Sequence, residues 1–493
     1  MDKVLNRRYV LGAAICLCAG AVLGGVLVGR LVWQITIPIV LSAVGIVLLF
    51  CKKKFLFFAL LSVAIGVSIL SADYAMGRSY AREGFYPIEA RVESVTDRYV
   101  VFDEVSLEGE KLGGKVRGAR SDFPVLTEGE IIKTFVKIEP ISVDFFDTYS
   151  SGVFNDRIYN KVAPYGETEV TGVRKTLFEK IRERIAEPLY RYSAVEDAGI
   201  SESLLFGDKS NLSSYDGAMI DGIGMSHVFA VSGLHVGFLT AAAIFFMKKL
   251  RVKRIPRIVV TALLLVFYGF LTGFPAGLKR AALMAILYLV APVVRGKSDA
   301  MTALGAACYL IVLTNPREVF DLGFIMSVSA VCGILLFAPS VSALLRRGRW
   351  KKGTRWIADG LAMTVAANLF LLPILFNVFG TVSPYSPIGN LLILPVVTVV
   401  YTYLAVVAGL TMIIPHLGIL FYVIKYPFAL IRLIGSFIYS LPYSTLAVGS
   451  VGAFCALYIF GLAFLSRLNK LPYKIKIPVS VVCVLASCAG LFV

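Results

Sequence analysis

The run YVLGAAICLCAGAVLGGVLVGRLVWQITIPIVLSAVGIVLLFCKKK, residues 9–54, decides the fold class. Apart from Arg30 it carries no charge before Lys52, and it is long enough for two helices that each need about 20 apolar residues to cross a hydrocarbon core. Lys3, Arg7 and Arg8 precede it, Lys52, Lys53 and Lys54 close it, and a third apolar run covers 55–73. Because two more spans follow the first almost without a loop, the first reads as an uncleaved anchor and not as a signal peptide. Residues 1–75 are therefore expected to form an N-terminal membrane anchor of three spans.

The rest of the chain has the same character. Of 493 residues 57% are apolar and only 16% charged, with a mean hydropathy of +0.78, which excludes a cytosolic enzyme. Further spans are expected near 226–247, 256–274, 277–295, 299–314, 319–339, 356–378, 387–410, 414–440, 445–466 and 475–492, giving about 13 in all. The stretch 387–440 is interrupted by Pro395, Pro415 and Pro427 and contains Lys425 and Arg432.

Residues 80–173 read differently. Ile88-x-Ala90-x-Val92 and Ile132-x-Thr134-x-Val136-x-Ile138 alternate as strands do, and Glu108-Gly109, Gly113-Gly114 and Glu128-Gly129-Glu130 mark turns. Four or five short strands, the last near Glu169 to Val173, suit a small β-barrel of about 90 residues. Its aromatics Tyr99, Phe102, Phe123 and Phe135 are expected in the core, and Lys115, Arg117 and Arg120 on a solvated edge strand. Over 174–192, Leu177, Ile181, Ile185 and Leu189 recur at i+4 between charges, the pattern of an amphipathic helix.

Charge supplies a topology. Lys and Arg number 49 against 32 Asp and Glu, a formal +17, yet residues 80–200 hold 17 basic and 22 acidic residues. The positive excess therefore lies in the apolar regions and their short loops. With the N-terminus in the cytoplasm, alternation places 24 of the 32 basic residues outside 80–200 on the cytoplasmic side, among them the clusters 248–257 and 346–355. The barrel and the amphipathic helix then lie outside the cytoplasm. A barrel that is acidic on balance has no general counterion-release attraction for DNA.

Other classes are excluded by what is scarce. The 8 Cys show no CxxC spacing, and the 3 His are His227, His235 and His416, so neither a disulfide framework, a zinc site nor a His-rich metallohydrolase is encoded. No GxxxxGK[ST] loop occurs. No metal or cofactor is expected.

Polar residues at membrane depth carry the functional expectations. Ser226, Ala230, Gly233 and Gly237 fall at spacings of 4, 3 and 4, so they are expected to give one helix a small face for close packing. On the same helix His227, Ser232 and His235 either lock neighbours by hydrogen bonds or line a hydrated path. Ser232 and His235 at i, i+3 also have the form of a nucleophile and base, without a Gly-x-Ser-x-Gly elbow or an acid partner. Arg280 and Asp321 are expected to pair, while Lys279 is expected to snorkel toward the headgroups.

These residues belong to a recognisable pattern. LLFGDK (204–209) and GMSHVFAVSGLHVG (224–237) resemble the ComEC competence family of membrane channel proteins of natural transformation. FNDRIY (154–159) looks like the segment that follows the family's extracytoplasmic OB-like barrel. Thr272-Gly273 with Arg280-Ala281-Ala282-Leu283-Met284, Asn315-Pro316 with Asp321, Gly323-Phe324 and Ser327, and Ser386-Pro387 with Asn390-Leu391-Leu392 and Pro395 look like further family motifs. The resemblance covers about residues 1–466. Ile325 and Met326 depart from it, replacing Gln-Leu, and no metallo-β-lactamase-like domain, which the longest members carry, is encoded.

The resemblance implies a polytopic α-helical membrane protein of about 13 spans with an inserted small extracytoplasmic OB-like β-barrel at 80–173, a channel domain at 200–466 and an extra span at 467–493. It implies no enzyme but a channel passing single-stranded DNA across the bacterial cytoplasmic membrane. His227, Ser232, His235 and Arg280 would line or shape the path, with Lys209 at the outer entrance. Asp208, Asp321, Ser327 and Asn390 would support it, Asp321 by holding Arg280. Implied partners are single-stranded DNA, an extracytoplasmic DNA receptor, a cytoplasmic ATP-driven translocase, a separate nuclease, membrane lipids and a second copy of the chain. Two alternatives are a permease or lipid-active protein on the same scaffold handling another anionic substrate, and an intramembrane hydrolase using Ser232.

Overall fold

A computed structural model describes residues 9–26, 61–69, 83–96, 98–141, 157–293, 299–346, 355–379 and 381–447. The spans expected at 31–50 and 475–492, nearly all of 445–466 and the motif residues 154–156 lie outside the described residues. The chain divides into two compact units, one built on residues 5–183 with 302–325, the other on 184–301 with the residues from 326 onward.

The first unit contains a closed barrel. Strands β1 (Gly84–Val95), β2 (Tyr99–Leu107), β4 (Lys115–Ala119), β6 (Ile158–Pro164) and β5 (Glu130–Pro140) are neighbours in that order, and β5 returns to pair with β1. All the pairings are antiparallel except β4 with β6. Two short strands stand off this ring, β3 (Glu110–Lys111) on β2 and β7 (Glu169–Val173) on β5. Closure depends on β1, whose 12 residues are broken by two register irregularities, between Glu89 and Arg91 and between Val92 and Ser94. Such bulges bend and twist a strand, which lets one strand serve both neighbours.

Alternation fills the interior with Ile88, Phe102, Val116, Ile132, Val136 and Ile138. Phe102 and Phe123 pack within it, their rings 5.1 Å apart. Phe135 contradicts the sequence expectation: it is 43% exposed. Thr134 and Val136 point inward, so the residue between them must point out. There it faces Pro87 of β1 and accepts the Tyr165 amide on its carbonyl oxygen. Tyr99 is half-buried, with the Arg117 guanidinium 5.2 Å above its ring. Arg117 itself is buried, which corrects its placement on a solvated edge.

A charged knot fastens the amphipathic helix Leu177–Tyr192 to the barrel. Arg91 donates from Nε to Asp103 Oδ1 at 2.9 Å and from Nη1 to Glu179 Oε1 at 3.0 Å. Glu179 also accepts the Thr176 amide while its own amide donates to Thr176 Oγ1, a reciprocal helix cap. Burial alone would raise the Glu179 carboxyl, but the Thr176 amide and the Arg91 charge overcome it and hold the pKa below its usual value. A carboxyl lowered by folding stabilises the fold above its unfolded pKa, about 4.3, and that contribution disappears as pH falls through the folded value. Glu179→Gln should therefore lower the thermal midpoint at pH 7, and the gap to wild type should close toward pH 3. A gap that stays constant with pH would count against this linkage.

Five helices among the described residues are long and apolar enough to cross a membrane: Arg254–Thr272, Leu322–Leu345, Arg355–Leu372, Ser386–Ile413 and Pro415–Tyr439. This is a membrane protein carrying a barrel domain. The interrupted stretch 387–440 forms the 28-residue helix Ser386–Ile413 and a second that begins as a 3-10 turn at Pro415–Ile424 and continues as Lys425–Tyr439. At about 1.5 Å per residue the first is longer than a hydrocarbon core of about 30 Å.

Close helix packing through small residues occurs elsewhere than at the expected stripe. A Cβ at Gly20 would lie 2.2 Å from the Val63 carbonyl oxygen in the helix at 61–69, and one at Gly333 2.5 Å from that of Ala366. In both places backbone meets backbone, the contact that glycine makes accessible to helices in lipid. Arg346 pairs with Asp359, which also accepts Ser342 Oγ at 2.5 Å, joining the ends of Leu322–Leu345 and Arg355–Phe379.

Candidate functional site

The two halves of the motif stretch, 204–209 and 224–237, are folded onto each other within the second unit. Helix Val195–Phe206 ends at Gly207, which adopts a left-handed conformation (φ 79°) and returns its amide to the Ser203 carbonyl oxygen. A side chain there would be strained and would also meet Val231 Cγ2 at 2.9 Å. Tyr268 of Arg254–Thr272 donates to the Leu205 carbonyl oxygen at 3.0 Å. The following loop is shaped by Asp208, whose Oδ1 accepts from the Ser210 amide at 3.0 Å and hydroxyl at 2.6 Å.

Residues 226–232 are not helical, which corrects the expected span 226–247. Helix Gly233–Lys249 starts seven residues later, with the extended Ser232 as its N-cap, and the loop before it follows a left-handed turn at Gly224 (φ 73°). Ser226 and Ala230 thus precede the helix and share no face with Gly233 and Gly237. A Cβ on Gly237 would meet nothing within 4 Å, whereas one on Gly233 would approach Arg280 Nη2 at 3.4 Å and Ala281 Cβ at 3.5 Å.

The structure separates the expected path residues into two environments. His227 and Lys209 are exposed. Lys209 Nζ donates to the Ser226 carbonyl oxygen at 3.3 Å, and Ser226 Oγ bonds to Asp221. Neighbouring protein partly desolvates the Lys209 ammonium and lowers its pKa, and the Asp221 carboxylate acts in the opposite direction. His235 and Arg280, in contrast, are buried, at 0% and 5% exposure. Arg280 Nη1 donates to the Ser327 carbonyl oxygen, joining Ala276–Val290 to Leu322–Leu345. Ser232 is half-buried.

Two of the supporting residues lie at helix starts. Asp321 belongs to the other unit, where Oδ1 accepts the Phe324 amide at 2.8 Å and caps Leu322–Leu345. Asn390, buried at the start of Ser386–Ile413, reaches Ser386 Oγ at 3.4 Å and leaves its Oδ1 without a partner. Gly224 sits over Ser386 and Ser383, and Gly389 over Met225, so this helix start supports the loop that carries His227.

Among the buried charges that sequence reasoning missed are Asp197, Asp216, Arg317 and Glu318. Arg432 bridges Asp197 and Asp216. Arg317 and Glu318 are buried in the first unit, with the Arg317 guanidinium 5.5 Å above the Tyr159 ring. Tyr159 and Arg317 come from two separate motif stretches, at 154–159 and after Asn315-Pro316. Their adjacency to recognised motifs was the available signal.

Comparison with known proteins agrees with this pattern. A family model described as competence protein matches residues 204–471. The ComE operon protein 3 of Bacillus subtilis (strain 168) is 30% identical over 203 residues, 41% of this chain and 25% of that protein. The chain thus matches about a quarter of its relative's length. No solved structure matches. Since the family's pattern runs through more than half of the sequence and contains the folded-together loops around Lys209 and His227, the chain belongs to the competence protein family.

Proposed function

We propose that this protein passes DNA as a single strand across the bacterial cytoplasmic membrane during transformation. The observation that supports this beyond family membership is that Lys209 and His227, from two separate motif stretches, are both exposed and meet, Lys209 Nζ bonding the carbonyl oxygen of Ser226 next to His227. A strand crossing a bilayer needs a hydrated lining with few acidic groups, on which it can slide without sticking. In this reading the N-terminus is cytoplasmic and the barrel extracytoplasmic. In the same reading the protein acts as a channel and not as an enzyme, and with no NTP-binding loop in the sequence the driving force comes from another protein. A cytoplasmic ATP-driven translocase, an outer DNA receptor and a separate nuclease complete the machinery, and association with lipids and a second copy belongs to the same proposal.

The test is genetic. Deleting the gene from an otherwise competent host should abolish transformation by added DNA and leave growth unchanged. Undiminished transformation would remove the reading in favour of another anionic substrate. A Ser232→Ala variant separates the hydrolase alternative: a channel should retain transformation to within about threefold, because helix capping by Ser232 is worth only about 1 kcal/mol. Complete loss at normal protein level would instead favour hydrolysis.

A further inference from the structure

We propose that His235 is a positioning residue, a neutral helix cap that sets the start of Gly233–Lys249, and that it does not touch the transported substrate. Its chemistry follows from three observations. The Ser232 amide donates to His235 Nδ1 at 3.1 Å. A ring nitrogen that accepts a backbone N–H carries no proton, so the imidazole is neutral with its proton on Nε2. The side chain is fully buried, and its ring stands edge-on to Tyr401 of Ser386–Ile413, the centroids 4.5 Å apart.

Position three of a helix is where Glu or Gln ordinarily reaches back to the N-cap amide. His235 performs that function with imidazole, in a place where a carboxylate would be an uncompensated buried charge. The hydroxyl of Ser232 also lies 3.1 Å from Nδ1, so the residue pair that resembles a nucleophile and base is occupied in shaping the backbone. What it shapes is the approach of Gly233 to Arg280 and the seat of the preceding loop, in which His227 lies. Ser232 Cα and the Val231 carbonyl oxygen lie 3.9 and 3.5 Å from where a Cβ on Gly277 would be, so a displaced N-cap would disturb the start of Ala276–Val290 as well.

The inference rests on the channel reading, and two readouts keep them separable. His235→Gln retains an acceptor for the Ser232 amide, and His235→Ala removes it. Transformation frequency should stay within about threefold of wild type for the Gln variant and fall at least about tenfold for the Ala variant, as expected for loss of a buried cap. Thermal midpoints of the detergent-solubilised full-length proteins should follow the same order. Equal loss in both variants would overturn the proposal, because the imidazole itself would then be needed, and so would wild-type behaviour in both. If the Ala variant does not accumulate, the Gln variant alone decides. If the wild-type gene supports no transformation, the channel reading fails, and the order of the midpoints still tests the cap.

Discussion

Arg432→Met should be among the most damaging single substitutions in the helical unit. Arg432 presents its guanidinium as a fork to Asp216, with Nε to Oδ1 at 3.0 Å and Nη2 to Oδ2 at 3.2 Å, and donates from Nη1 to Asp197 Oδ1 at 2.6 Å. The carboxylate side chains are 2% and 5% exposed, against 29% for the arginine. One cation thus compensates two buried anions. Removing it leaves both without a counter-charge, and breaking a buried pair in this way costs about 3–5 kcal/mol.

The loss would reach three helices at once, Val195–Phe206, Ser214–Gly222 and Lys425–Tyr439. Asp216 is also tied to the cap of its own helix: the N-cap Ser213 hydroxyl accepts the Asp216 amide at 3.1 Å and donates to its Oδ2 at 2.9 Å. Arg432→Met should therefore show little monodisperse protein after detergent extraction. Arg432→Lys should fall between it and wild type, since an ammonium keeps the charge but not the fork. Adding Asp216→Asn to Arg432→Met should recover part of the loss. A methionine variant with the wild-type midpoint would contradict the argument.

Arg432 also shows where reading the sequence stops. Its partners lie 216 and 235 positions away, and nothing local distinguishes a basic residue in a pairing helix from one snorkelling to the headgroups. Apolar run length, by comparison, is a local property, so the membrane character was legible, as was the barrel from its alternating strands. The start of Gly233–Lys249 was locally encoded too, in Gly224 and in Ser232-x-x-His235, but the 4-3-4 spacing of small residues suggested a continuous face. Spacing shows a face only if the helix is continuous, and here the irregular backbone of 226–232, ending in the extended Ser232, breaks it. Phe135 gives the same lesson for strands. The inward alternation of Ile132, Thr134, Val136 and Ile138 already requires it to point outward, and residue type is weaker evidence than parity. The division of His227 and Lys209 from His235 and Arg280 depends on tertiary enclosure, and no local pattern encodes it.

The loop that carries Lys209 depends on a contact that a single methyl group would destroy. Gly199 lies within Val195–Phe206, and a Cβ there would stand 2.1 Å from the Asn211 carbonyl oxygen and 2.8 Å from its carbon. Backbone cannot move aside as a flexible side chain can, and this backbone is held on both sides. Gly207 and Asp208 fix its beginning, and Asn211 Nδ2 donates to Glu202 Oε2 at 2.8 Å, which also accepts Tyr190 Oη at 2.7 Å. Overpacking of this kind costs about 1–3 kcal/mol, and relief requires the loop to leave the helix. Gly199→Ala should therefore lower the thermal midpoint and expose Lys209 further to water-soluble amine reagents, with transformation falling in parallel. Gly217 supplies the control. A Cβ there meets only Leu212 Cδ2 at 3.8 Å, within the helix Ser214–Gly222. Gly217→Ala should raise stability by up to about 1 kcal/mol through the lower backbone entropy of the unfolded chain. If both alanines behaved alike, the close approach of helix and loop at Gly199 would have no energetic consequence, and Lys209 would owe its position to the Asp208 turn alone.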